Sequence, residues 1–181
     1  MKKLLLILVV SLSVSYLQAQ FTKGTLQATG LTCAMCSNAI NKALEKVTFV
    51  ASIKSDIKNS TFFIQFKENM TVNIDALKDA VEDAGFSVGS LKLTGTFNEV
   101  KIEKDQHIKY GNENFHFLNV NSQVLQGEQT ITLMDKNFVT EKQFKKNSSA
   151  TKMSCMKTGK AAACCVKDGI TAGERVYHVT I

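Results

Sequence analysis

Gly30-Leu31-Thr32-Cys33-Ala34-Met35-Cys36 decides how the rest of this chain is read. Residues 25–30 alternate in polarity as a half-buried strand does, and residues 37–47 carry apolar side chains at helical spacing. Two cysteines separated by two residues serve zinc binding, disulfide chemistry or soft-metal binding, and the spacing alone does not choose. Set between a strand and a helix, both sulfurs come to a helix N terminus, where the partial positive charge favours a thiolate ligand.

The elements on either side follow a regular order. Leu26, Ala28 and Gly30 share one face of the first strand, and Thr25, Gln27 and Thr29 share the other. Ile40, Ala43, Leu44 and Val47 make one apolar helical stripe. A second strand is expected with Phe49, Ala51 and Ile53 inward and Val50, Ser52 and Lys54 outward. Lys58-Asn59-Ser60 is turn chemistry, and Phe62, Ile64 and Phe66 line a third strand. Asn73 caps a second helix with the stripe Ile74, Leu77, Val81 and Ala84, which Gly85 stops. Val88, Leu91 and Leu93 mark a fourth strand. The order βαββαβ is a ferredoxin-like split βαβ unit, with both helices on the one apolar face of the sheet.

The Gly30-Leu31-Thr32-Cys33-x-x-Cys36 loop, this element order and Asp83-Ala84-Gly85-Phe86 at the end of the second helix resemble the heavy-metal-associated domain family over residues 22–95. That family includes copper chaperones, N-terminal modules of copper-pumping ATPases and the periplasmic mercury-binding protein. The resemblance implies Cys33 and Cys36 as metal ligands, Cu(I) as the favoured ion, and Hg(II) or Zn(II) as alternatives at the same site. It implies a metal-donor or acceptor partner with thiol ligands. Thr32 is similar to the monovalent-copper members, and Phe86 stands where the family packs a side chain beside the metal loop. Leu31 replaces the usual Met, and no Gly-Val pair leads into the second strand; neither change removes a ligand.

Cu(I) is soft and prefers thiolate, and two sulfurs from one loop leave a position open for a third. Such a site suits hand-over rather than storage. A structural disulfide within the pair is the plain alternative. A thiol-disulfide redox protein cycling Cys33 and Cys36 is the other, although the surrounding pattern lacks thioredoxin-like elements and the chain has no proline. Met35 reads as a solvent-facing loop residue.

Beyond this region the pattern changes. Lys2-Lys3, the apolar residues 4–10 and Leu17-Gln18-Ala19 form a secretory signal over 1–19, which places the mature chain in the periplasm or outside the cell. The apolar run is too short for a membrane span. Removing Lys2 and Lys3 takes the formal charge from +6 to +4, and the basic residues are too scattered for a nucleic-acid footprint. The expected fold class is α+β: a ferredoxin-like domain over 20–96, then a small β-rich domain or partial barrel over 97–181. In the latter, residues around Phe115-Phe117, Thr130-Leu133 and Val176-Ile181 read as strands, and a cysteine-bearing loop spans 147–173.

That loop carries Met153-Ser154-Cys155-Met156 and Cys164-Cys165. Cys155, Cys164 and Cys165 read either as a second soft-metal site, its thiolates favoured by Lys152, Lys157, Lys160 and Lys167, or as a disulfide with one cysteine spare. His107, His116 and His178 follow no ligand spacing; His178, between Tyr177 and Val179, is expected to face out of its strand, and all three are set aside. No Ser-His-Asp set, phosphate loop or carboxylate pair supports an enzyme.

Overall fold

Period-two burial builds the sheet. In the computed structural model, which describes residues 20–31 and 33–181, β1 (Phe21–Thr29) buries Phe21, Leu26 and Ala28 on one face. The expected leader and Thr32 lie outside the described residues. Helix α1 (Ala34–Glu45) packs Ile40 and Leu44, both fully buried, against this face. β2 (Val50–Asp56) and β3 (Thr61–Phe66) follow, then α2 (Ile74–Asp83). Asn73 Oδ1 accepts from Ala76 N at 3.1 Å, so its side chain caps α2 as its sequence position predicts.

One inward assignment is corrected. Val50 is buried and Ala51 exposed, because a register shift between Val50 and Ser52 in the β2–β3 pairing changes the phase of the strand.

The end of α2 positions the opening loop. Gly85 takes φ +87°, its N–H donates to Glu82 O at 2.9 Å, and the Phe86 N–H donates to Val81 O at 3.1 Å. This paired cap needs a left-handed residue, which glycine adopts without a Cβ clash. It delivers Phe86 to β4 with its ring beside Gly30, Cδ1 4.0 Å from where a Cβ would stand.

β4 (Ser87–Ile102) is long enough to serve two neighbours. It pairs antiparallel with β1 from Ser87 to Gly95 and with β7 (Gln123–Leu133) from Lys92 to Ile102. The expected boundary between 96 and 97 therefore falls inside one strand. β5 (His107–Tyr110), β6 (Glu113–Phe117) and β8 (Val176–Thr180) complete an eight-stranded sheet of order β2-β3-β1-β4-β7-β8-β6-β5. The first four strands are the ferredoxin-like unit, and the later strands extend its sheet rather than forming a separate one.

The extended sheet curls back on itself. Tyr110, on edge strand β5, donates its hydroxyl to Thr96 O at 3.0 Å or Gln20 O at 3.1 Å and stacks on Phe97 with centroids 4.3 Å apart. Phe21 meets Tyr110 at 4.9 Å and Phe115 at 5.7 Å, so one apolar cluster spans both parts of the chain. Gly95 makes this approach feasible: a Cβ there would stand 2.5 Å from Tyr110 Oη and 2.9 Å from Gln20 O. Gly95→Val should destabilise the fold by about 2 kcal/mol through overpacking, read as a lower urea midpoint at unchanged slope.

Residues 134–175 cover the other side of the later strands with α3 (Glu141–Ser148), capped by a reciprocal Thr140–Gln143 box, and the single-turn helices α4 (Cys155–Thr158) and α5 (Ala163–Val166). Cys155, Ala161, Cys165, Ile170 and Val176 form a small second core there. Arg175 ties this lobe to α2, donating Nε to Asp75 Oδ2 at 3.0 Å and Nη1 to Asp135 Oδ1 at 3.3 Å. No helix among the described residues is long and apolar enough to cross a membrane.

Candidate metal centres

The first centre is the loop between β1 and α1. Gly30, at φ +84°, turns the chain out of the strand, and Leu31 packs against the core. Cys33 is the extended N-cap residue of α1, and its carbonyl accepts from Cys36 N at 3.1 Å and Ser37 N at 3.4 Å. Its side chain makes no cap hydrogen bond; Sγ lies 2.9 Å from Cys36 Sγ, with no disulfide between them. The first turn of α1 holds no acidic residue to repel a thiolate. Cys33 is exposed, and Met35 is 82% exposed. Two adjacent sulfurs, one exposed and one half-buried, can take a soft cation and meet a third sulfur from another molecule.

The second centre lies in the lobe behind β6 and β8. Cys155, Cys164 and Cys165 come together there, their sulfurs within 4.8 Å of one another and none in a disulfide. The histidines set aside on spacing converge on the same cysteine. His107 Nε2 and His116 Nδ1 each lie 3.8 Å from Cys155 Sγ, and His178 Nε2 lies 3.4 Å from it. His178 therefore does not face solvent: all three imidazoles and Cys155 are fully buried. The outward assignment fails because β8 is covered on both faces, so alternation along it carries no information about solvent.

Each imidazole is also held from behind. His107 Nδ1 lies 2.7 Å from Asp168 Oδ2, His116 Nε2 lies 3.2 Å from Asp105 Oδ1, and His178 Nδ1 lies 2.9 Å from Asp135 Oδ1. The His107 and His116 rings stack with centroids 4.4 Å apart.

Burial governs the protonation of this cluster. It lowers His107 despite the hydrogen bond to Asp168. Burial, with the neighbouring imidazoles His178 and His107, brings His116 down to about 4 against the pull of Asp105. Burial pushes the Cys155 and Cys165 thiols up, which overrides the flanking lysines expected to favour thiolate. Cys164 differs: burial raises its thiol, but hydrogen bonds from the Cys155 backbone, Cys165 and Ser154 leave it below its ordinary value.

The sign of the His116 effect sets a pH dependence. The unfolded chain takes up this proton near pH 6.5 and the folded chain near 4, so the unfolded state holds more protons in between. On this account the metal-free protein is most stable above pH 6.5 and loses stability as pH falls from there towards 4. Unfolding titrations in chelator-containing buffer read this slope, and His116→Gln should lessen it, leaving the share that His107, also lowered, contributes.

The sequence profile of the heavy-metal-associated domain matches residues 25–87. The copper chaperone CopZ of Staphylococcus haemolyticus is 34% identical over 59 residues, which is 33% of this chain and 85% of that protein. A copper-transporting ATPase of Helicobacter pylori is 36% identical over 58 residues, 32% of this chain but 8% of the ATPase. Among solved structures, a CopZ metallochaperone aligns with 28% identity over 37% of this chain and 98% of that one, at a TM-score of 0.34. Oxidised MerP from Ralstonia metallidurans CH34 aligns with 27% identity over 38% and 96% of the two chains, also at 0.34. With its βαββαβ order and its cysteine pair at the start of α1, the chain belongs to the heavy-metal-associated domain family through residues 25–87.

Proposed function

We propose that this protein binds a soft metal ion, Cu(I) foremost, through Cys33 and Cys36 and passes it to a partner by thiolate exchange. The observation that carries the reading is the pair of sulfurs 2.9 Å apart at the exposed start of α1. The CopZ relative, a copper chaperone, supports the choice of ion. Metal–sulfur bonds of about 2.3 Å place collinear sulfurs about 4.6 Å apart, so loading opens the pair.

Transfer conserves bonds and protons. A partner thiol gives up its proton and its thiolate bonds to the ion from the open side, making a three-sulfur intermediate. The bond to one of this chain's sulfurs then breaks and that sulfur takes a proton; a second partner thiol repeats the exchange, giving up its proton as the remaining bond breaks and the last sulfur takes one. We place the protein in the periplasm or outside the cell, with residues 1–19 as a removed leader; N-terminal sequencing of exported protein should begin near Gln20.

Anaerobic titration with Cu(I) and with Zn(II), each against a competing chelator, tests the reading. Cu(I) should bind more tightly than Zn(II), and Cys33→Ser should remove one equivalent of it. Cu(I) binding no tighter than Zn(II), or unchanged in Cys33→Ser, overturns the copper reading; tighter Hg(II) or Zn(II) would reassign the same site. The closeness of the two sulfurs also suits a redox pair. Disulfide reductase activity of the metal-free protein would favour that second reading.

A further inference from the structure

We infer that Cys155, His107 and His116 form a second, buried metal site for a d10 cation such as Zn(II) or Cu(I), with His178 beside the sulfur, separate from the Cys33–Cys36 loop. The inference stands apart from the loop's function, because no residue is shared.

Hydrogen-bond chemistry carries the first part of the argument. An ionised aspartate only accepts, so the imidazole nitrogen facing it must carry the proton. In a neutral ring the other nitrogen is then a bare lone pair. Asp168, Asp105 and Asp135 set this tautomer in His107, His116 and His178 in turn, and every bare nitrogen faces Cys155 Sγ. A thiol has one proton and satisfies one acceptor. Two buried lone pairs are left without a donor among the described residues, a costly arrangement. A cation in place of the thiol proton satisfies the His107 and His116 nitrogens and the sulfur at once.

Geometry agrees. With metal–nitrogen bonds of about 2.05 Å and a metal–sulfur bond of about 2.3 Å, tetrahedral coordination separates nitrogen and sulfur by about 3.6 Å. The His107 and His116 nitrogens each lie 3.8 Å from the sulfur, and these three ligand atoms lie within 4.8 Å of one another; His178, 3.4 Å from the sulfur, falls outside that set. A carboxylate behind each ligating histidine is the arrangement that orients imidazole on a metal and raises its basicity. The three aspartates also offset a cation's charge in a buried site.

An approach exists as well. Cys164, half-buried, lies 3.5 Å from Cys165, and both sulfurs lie within 4.8 Å of Cys155. A soft ion can enter past half-buried Cys164 and settle among the histidines. The loop offers one exposed and one half-buried sulfur and exchanges its ion; this cluster offers three buried ligands and retains it. A retained ion here pins α4 to β5 and β6.

The test uses the full chain with Cys33→Ser and Cys36→Ser, both on the surface loop, loaded with Zn(II) or Cu(I), freed of excess metal, then analysed for metal content and by X-ray absorption. One ion per chain in a mixed nitrogen–sulfur shell is expected, together with a melting temperature that falls on adding chelator. Cys155→Ser in that background should weaken binding more than 100-fold, beyond the roughly 10–100-fold that loss of an outer partner costs. A folded double variant that retains neither ion, or holds one in an all-sulfur shell, overturns the inference. If Cys155→Ser fails to fold, the nitrogen–sulfur shell of the double variant decides alone. Loss of loop binding with this site intact would count against the loop's function only.

Discussion

Cys33→Ser should abolish tight Cu(I) binding at the loop, lowering affinity by more than 100-fold, because loss of a direct ligand exceeds the roughly 10–100-fold effect of losing an outer-shell partner. The loop offers two sulfurs, and a serine hydroxyl is a hard donor that a soft ion disfavours. The effect should be local. Cys33 is exposed and its side chain makes no cap hydrogen bond, so the substitution should leave the unfolding midpoint unchanged. Met35→Leu is the control: Met35 is 82% exposed and should not alter affinity. Competition titration and urea unfolding on the same samples separate ligand loss from misfolding.

Asp135→Ala should have the largest effect on stability, about 3–5 kcal/mol. Asp135 is 3% exposed and accepts from His178 N at 2.7 Å, from His178 Nδ1 at 2.9 Å and from Arg175 Nη1 at 3.3 Å. Removing the carboxylate leaves a buried backbone donor and a buried ring donor unsatisfied, each costing about 1–3 kcal/mol. It also removes one of the two carboxylates that hold Arg175, and with it part of the link from this lobe to Asp75 on α2. Asp135→Asn keeps an accepting oxygen and should cost less. Thermal unfolding should show Asp135→Ala melting on the order of 10 °C lower.

The ferredoxin-like part was legible because its signals are local. Leu26 and Ala28 on β1, Ile40 and Leu44 on α1, and Ile74, Leu77 and Val81 on α2 all bury as their spacing predicts. Each belongs to an element with one wet face, where periodicity reports burial directly. Val50 and Ala51 were misread because a bulge changes phase without marking the sequence.

The second centre was half visible. Cys155, Cys164 and Cys165 were grouped from their proximity in sequence, and they do meet. The histidines were missed because His116 and His107 reach Cys155 across 39 and 48 residues, so their spacing reflects sheet topology rather than a motif. A usable signal was present in composition. Phe115-His116-Phe117 and Tyr177-His178-Val179 set a histidine inside an apolar strand run, the pattern of a strand buried on both faces, where histidine needs a polar or metal partner. The continuation of β4 past residue 96 was hidden for a related reason, since Thr96-Phe97 reads equally as a strand end or a strand middle.

Alkylation footprinting at two equivalents of Cu(I), one for each proposed centre, tests the central claim most directly. The full chain, prepared without oxidation, is loaded anaerobically, treated with a thiol-alkylating reagent and mapped by mass spectrometry. Cys33 and Cys36 should react readily in the metal-free protein and be protected together once Cu(I) is bound, and a competing chelator should restore their reactivity. Equal alkylation of Cys33 and Cys36 with and without bound copper would contradict the account.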